Sequence, residues 1–185
     1  MPSTHLPSFS LRALLVLCAL AVVSLLYLPL PILPQLAQTH GMSIPTATGV
    51  ISAFGFAYAA GFLIFGTLSD RLGRRTVMMW GLTALALVTA WLTTVEAVPL
   101  LLAGRAAQGL AAATFPPVVI AYLAERGTPR QRVWSVAWMS TAFLSAGLLG
   151  QIYGATVASR WGLGSALLPL AAVFALTAWQ LWATQ

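Results

Sequence analysis

Long apolar stretches separated by short polar ones run the length of the chain. They fall into six segments, at about 12–34, 46–68, 76–95, 98–123, 131–157 and 162–183. Each has roughly the 20 residues an α-helix needs to cross a hydrocarbon core. The breaks carry helix punctuation. Ser43-Ile44-Pro45 offers a cap and an early-turn proline for the second helix. Thr128-Pro129-Arg130-Gln131 offers a capping box with proline at the first helical position of the fifth. Connections this short make successive helices antiparallel neighbours. The pattern predicts an all-α membrane protein, a single six-helix transmembrane bundle over residues 1–185. The first apolar run, Leu11 to Leu30, is longer than the core of a secretory signal and has no A-x-A-like cleavage site before Pro29, so it reads as a span. A short echo links Asp70-Arg71-Leu72-Gly73 after the second helix to Ser159-Arg160-Trp161-Gly162 after the fifth. Two three-helix repeats of inverted topology would produce it.

Composition agrees with lipid as the main solvent. The chain is 59% hydrophobic and only 6% charged, against about 25% charged in a soluble domain. The net charge of +6 comes from nine arginines and no lysine. In a soluble domain that balance would suggest nucleic acid, but here the arginines sit between apolar runs, where they set topology, and no nucleic-acid partner is expected. With six crossings, Arg12, Arg71, Arg74, Arg75, Arg126, Arg130 and Arg132 fall on one side and Arg160 alone on the other. The positive-inside rule then places both termini in the cytoplasm. Cys18 lies inside the first run and reads as a packing residue. His5 and His40 are too sparse for a metal site, and no cofactor is expected.

The stretch from Gly66 to Arg75 carries the densest chemistry. Asp70 falls at the C-terminal end of the second helix, where exposed carbonyls already create a negative field. Nearby arginines, or the positive N-terminus of another helix, would reverse that sign. Gly73 permits a tight reversal, and Gly66 would let a neighbouring helix approach closely. A plain positive-inside loop accounts for the number of arginines but not their spacing. The pattern G-x-x-x-D-R-x-G-R-R after a second transmembrane helix resembles the signature loop of the major facilitator superfamily. The resemblance implies a cytoplasmic gate in which Asp70, Arg71, Arg74 and Arg75 form a charge network, with Gly66 and Gly73 as packing and turn residues. It also implies that Glu125, at the end of the fourth helix, shares Arg74 or Arg75 with Asp70. A solvated loop carboxylate is the other reading of Glu125.

Arg105 lies inside the fourth apolar segment, about 10 Å along the helix from its outer end at 1.5 Å per residue. An arginine there costs about 2.5–3.5 kcal/mol on insertion scales, which calls for a cavity-facing or paired position; snorkelling to the headgroups is the alternative. Gln108 shares its face, and Gly109 among alanines keeps the helix slim. The run Arg105-Ala106-Ala107-Gln108-Gly109 resembles the fourth helix of drug:proton antiporters. That resemblance implies a place for Arg105 near the translocation cavity and in proton coupling. Two departures stand against the antiporter branch. No carboxylate lies inside a span to partner the arginine, and the fifth helix, with Gln151 after Gly150, lacks the antiporter glycine-proline pair. Tyr27, Tyr58 and Gln151 are further candidates for lining a cavity. Pro29, Pro31 and Pro34 should kink the first helix, and Pro116-Pro117 the fourth.

These readings converge on the N-terminal half of a secondary transporter in a bacterial inner membrane. It would move a small molecule by alternating access, as proton-coupled efflux, with a second six-helix half or another copy completing the site. The alternative is a six-helix substrate-binding membrane subunit of an ATP-driven importer, which does not require the arginine-rich loop. An intramembrane enzyme is not expected, because no buried nucleophile–base or carboxylate pair is available.

Overall fold

The computed structural model describes residues 9–183, in which helices account for nearly all of the chain and no strand occurs among the described residues. His5 lies outside them. In chain order the helices are α1 (Phe9–Tyr27), α2 (Leu33–Thr39), α3 (Ile44–Leu72), α4 (Arg74–Leu92), α5 (Val98–Ala112), α6 (Pro116–Ala124), α7 (Pro129–Tyr153) and α8 (Ser159–Ala183). A 3₁₀ turn, Leu30–Ile32, joins α1 to α2, and a π-turn, Gly154–Ala158, joins α7 to α8. Five continuous helical segments are long and apolar enough to cross a membrane: Ser10–Thr39, Ile44–Leu72, Arg74–Leu92, Val98–Ala124 and Pro129–Ala183. This is the profile of an integral membrane protein.

The prolines decide where the first and fourth segments break. Pro29 cannot donate an N–H, so α1 closes at Tyr27 and the chain turns once before resuming as α2. The first segment therefore continues to Thr39 rather than stopping at 34. In the fourth, helix geometry lapses between Ala112 and Pro116, and the two prolines open α6 at the positions where a missing N–H matters least. Ser43 caps α3 by accepting from the Thr46 N–H, and Thr128 caps α7 in a complete capping box with Gln131.

The last segment is 55 residues long but is not one rod. Gly162 has φ 82° and ψ 165°, far from helical, and the Tyr153 hydroxyl donates to the Ala166 carbonyl at 3.0 Å, so the chain doubles back there. Gln35 donates to the Ser159 carbonyl at one end of α8, and Gln180 donates to Ser10 at the other. The second end is arginine-rich, with Arg74 and Arg75 nearby. The most extensive helix pairings are α3 with α5, α4 with α8, and α1 with α7. Between them lies a core of Leu15, Val22, Leu25, Phe54, Met78, Leu82, Phe115 and Phe174, all fully buried. Phe56, Leu63, Leu144 and Leu148 point outward from α3 and α7, which is the ordinary orientation of apolar side chains in a protein solvated by lipid.

Candidate functional site

At the arginine-rich end the connection from α3 to α4 is one residue, Gly73, with φ 90° and ψ 128°. Ser69, Asp70 and Arg71 are therefore the last turn of α3 rather than a loop, and Arg74 opens α4 four residues after Asp70. Arg74 holds two acids at once. Its Nη2 lies 3.1 Å from Asp70 Oδ1 and 2.7 Å from Glu125 Oε1. Its Nε donates to both Glu125 oxygens, at 2.9 and 3.0 Å. The guanidinium thus ties the α3–α4 turn to the end of α6 and offsets the unfavourable field at the α3 terminus. Both carboxylates are more than half exposed. A pair in that setting is worth about 0–1 kcal/mol, so the tie is specific in geometry and easily broken.

Arg75 does not join the acids. Its Nε donates at 2.9 Å to the carbonyl of Leu181, which Nη2 also meets, so it caps the last turn of α8. Arg71 is exposed and has no ion pair among the described residues. Arg126 lies 3.6 Å over the ring of Tyr122, and Arg132 donates to the Gly127 carbonyl at 3.0 Å. Close approach of another helix at Gly66, expected from the sequence, does not occur within this chain: a Cβ there would meet nothing within 4 Å. The half-buried Gly66 thus points its Cβ direction into open space among the described residues.

Arg105 is fully buried, and so is Gln108. Snorkelling is thereby corrected, because no part of the side chain reaches the surface. Its Nε donates to the Val50 carbonyl at 3.2 Å, its Nη1 to Gln108 Oε1, and its Nη2 to the Leu25 carbonyl at 2.9 Å. Gln108 passes the network on to Thr89 at 2.8 Å. The guanidinium carbon also lies 4.4 Å from the centroid of the Phe54 ring, a cation–π contact of the kind that strengthens when desolvated. The acceptor on Leu25 has a local cause. In a continuous helix that carbonyl would pair with the N–H of residue 29, and residue 29 is proline. Arg105 supplies the donor that the proline withholds.

Close packing brings the acceptors within reach. A Cβ on Gly109 would collide with the Phe54 carbonyl, so α5 and α3 touch backbone to backbone there. Tyr58 joins this neighbourhood, its ring 5.5 Å from that of Phe54 and 4.9 Å from that of Phe62. Tyr27 lies against Gly147 of α7 and interacts with Tyr58, and the exposed Gln151 amide donates to the Gly147 carbonyl. The sequence reading missed Thr89, Phe54 and the two carbonyls. Pro29 was the readable signal for one carbonyl. Thr89 is one of five threonines in the third apolar segment, and nothing in the sequence singled it out. No group of three or more metal-ligating side chains occurs among the described residues.

The family model described as Major Facilitator Superfamily matches residues 15–184. The uncharacterized MFS-type transporter YceJ of Bacillus subtilis is 29% identical over 129 residues, covering 70% of this chain and 33% of the relative. The multidrug export protein EmrB of Escherichia coli is 28% identical over 133 residues, covering 70% of this chain and 26% of the relative. Among solved structures, the human organic anion transporter MFSD10 (TETRAN) superposes with a TM-score of 0.71 at 24% identity, over 95% of this chain and 48% of that one. The chain thus spans about a third or less of these curated relatives and about half of the solved transporter.

Proposed function

The chain belongs to the major facilitator superfamily, and from that premise we propose that it forms one six-helix bundle of a secondary active transporter, exporting a small molecule by alternating access against an inward flow of protons. This membership sets aside the importer-subunit alternative. The observation that carries the reading is the Arg74 fork on Asp70 and Glu125. It joins two helix ends at one side of the bundle through contacts weak enough to be exchanged for others. A gate requires that combination. Export follows the direction named for the relative EmrB. Arg105, whose acceptors are neutral carbonyls and an amide, is the cation through which a proton or an anionic substrate group would be sensed. The arginine distribution supports an inner membrane with both termini in the cytoplasm.

Six crossings arranged as two inverted repeats fit the chain better than five. The four positive-φ glycines fall into pairs under that scheme: Gly41 and Gly127 precede the second span of each repeat, and Gly73 and Gly162 follow it. Hydroxyl caps at Ser43 and Thr128 come after the first pair. Each repeat opens with a span broken near its far end, at Leu28–Ile32 and Ala113–Phe115. Exchanging the repeats converts the α3–α5 pairing into α1–α7 and leaves α4–α8 unchanged.

Reconstitution tests the proposal. Proteoliposomes carrying this chain with a second six-helix bundle are expected to couple substrate flux to a proton gradient, and those carrying the chain alone to show none. Coupled flux by the isolated monomeric chain would overturn the single-bundle reading.

A further inference from the structure

Thr89 carries a hydroxyl that its own helix does not use. Thr48, Thr83, Thr141 and Thr177 each donate to the carbonyl four residues back, at 2.7–3.0 Å, the ordinary arrangement for a threonine in a helix. Thr89, fully buried near the end of α4, has one hydrogen bond among the described residues, accepted from Gln108 Nε2 at 2.8 Å. The chemistry of its neighbours gives that bond its weight. A guanidinium can only donate, so the Gln108 atom that meets Arg105 Nη1 is the carbonyl oxygen. Gln108 is fully buried, so its amide NH2 must find an acceptor within the protein, and Thr89 is that acceptor. Turning the amide over would set donor against donor at Arg105. Which way Gln108 faces, and with it one of the three acceptors of Arg105, is therefore set from α4.

α4 also spans the distance between the two charged centres. It runs unbroken from Arg74 to Leu92, and from Arg74 to Thr89 its axis advances about 22 Å. The broken fourth span lies antiparallel along it: Arg74 meets Glu125, Gly81 meets Thr114, Thr89 meets Gln108, and Leu92 meets Gly104. At Gly81 the fit is close, since a Cβ there would collide with the Thr114 side chain, which sits in the lapse between α5 and α6. The buried Thr89–Gln108 bond pins α5, the half that carries Arg105. The Arg74–Glu125 pair, its carboxylate more than half exposed, pins the end of α6. One pin is dry and the other is wet, and the break lies between them.

We propose that Thr89 is a positioning residue: it fixes the Gln108 amide from α4 and so holds the Arg105 guanidinium in one orientation while α6 exchanges its contacts at the gate. The role rests on Arg105 being the sensing cation of the proposed transporter. Thr89 acts through Gln108 rather than on a substrate.

Hydrogen exchange at the Arg105 Nε–H, followed by heteronuclear NMR of the 185-residue chain in detergent and assigned by its loss in Arg105→Lys, tests the role. Thr89→Val stays close in shape but removes the acceptor. It is expected to speed that exchange about ten-fold, the factor that about 1.4 kcal/mol gives and within the cost of a buried amide left unsatisfied. Thr89→Ala removes the same acceptor with less bulk and serves where the valine variant does not fold. Thr89→Ser keeps the hydroxyl and should exchange as the parent does. Thr83→Val, which loses only a bond within α4, should leave Arg105 unchanged, and so should Arg74→Gln, which frees α6. The backbone amides of Leu101 and Ala112 in α5 should exchange at parental rates throughout. Unchanged exchange at Arg105 in Thr89→Val and Thr89→Ala would overturn the proposal. Faster exchange shared by Thr89→Ser, or by the α5 backbone amides, would make Thr89 a packing residue and overturn it too. An effect of Arg74→Gln as large as that of Thr89→Val would show that Thr89 does not hold Arg105 apart from the gate. Coupled flux by the isolated chain, the result that overturns the single-bundle reading, would leave each of these outcomes as it stands.

Discussion

Arg105 shows how one side chain can be both a cost and a repair. Buried in a span, it would be expensive alone, yet it satisfies a carbonyl that Pro29 left without a donor. Arg105→Leu is expected to lower stability by about 1–3 kcal/mol, the cost of an unsatisfied buried acceptor, read as a fall in the unfolding midpoint in detergent. Pro29→Ala supplies an N–H of its own at that position. The two changes together should therefore fall short of additivity by about 0.5 kcal/mol or more in a double-mutant cycle. At the other site, Asp70→Asn is expected to abolish most transport by the completed protein while membrane insertion stays normal. Unchanged flux would leave Asp70 with a topological role only. Both charged centres could be seen in the sequence, because an arginine within a span and an aspartate at a helix C-terminus are each out of place there. Their partners were less visible. The acceptors of Arg105 are mostly backbone, and backbone carbonyls have no letter of their own. Glu125 was anticipated only through family resemblance, and Arg75 turned from the acids to the Leu181 carbonyl because α8 ends beside it.

At the scale of elements, hydropathy located the segments well and proline chemistry explained how they break. It did not show that α3 and α4 meet at a single residue, since Ser69, Asp70 and Arg71 look like a loop yet continue the helix. Nor did it foresee a π-turn at Gly154–Ala158, where a Cβ on Gly154 would collide with the Leu28 carbonyl. Close backbone contact of this kind is invisible in one sequence, because a glycine against a neighbour and a glycine facing lipid share the same letter. The structure separates them. Gly109→Ala would force α5 away from Phe54 and is expected to cost about 1–3 kcal/mol, measured by thermal unfolding. Gly66→Ala, facing open space, should stay within about 0.5 kcal/mol of the parent in this bundle. The same change is expected to reduce flux once a second bundle packs against that face.

At the scale of the whole molecule, the decisive number is how often the chain crosses the membrane. With Cys18 replaced by serine, Arg160→Cys is expected to react with an impermeant maleimide in intact cells, and Gln131→Cys only after permeabilisation. Labelling of both from one side would mean that residues 163–183 do not cross. The arginine count alone assigns these positions to opposite sides, and the labelling tests that assignment. The pairing of helices was not legible, because apolar residues surround α7 and α8 on every face and give no preferred direction. The Leu25–Arg105 bond also orders the making of the protein. Its two residues are 80 apart in the chain, so ribosomes adding about 5–20 residues per second produce Leu25 some 4–16 s before Arg105. When the fourth span enters the bilayer, the carbonyls of Leu25 and Val50 are already waiting there. The arginine can be received by partners from the earlier spans, and its insertion depends on those spans having been placed first.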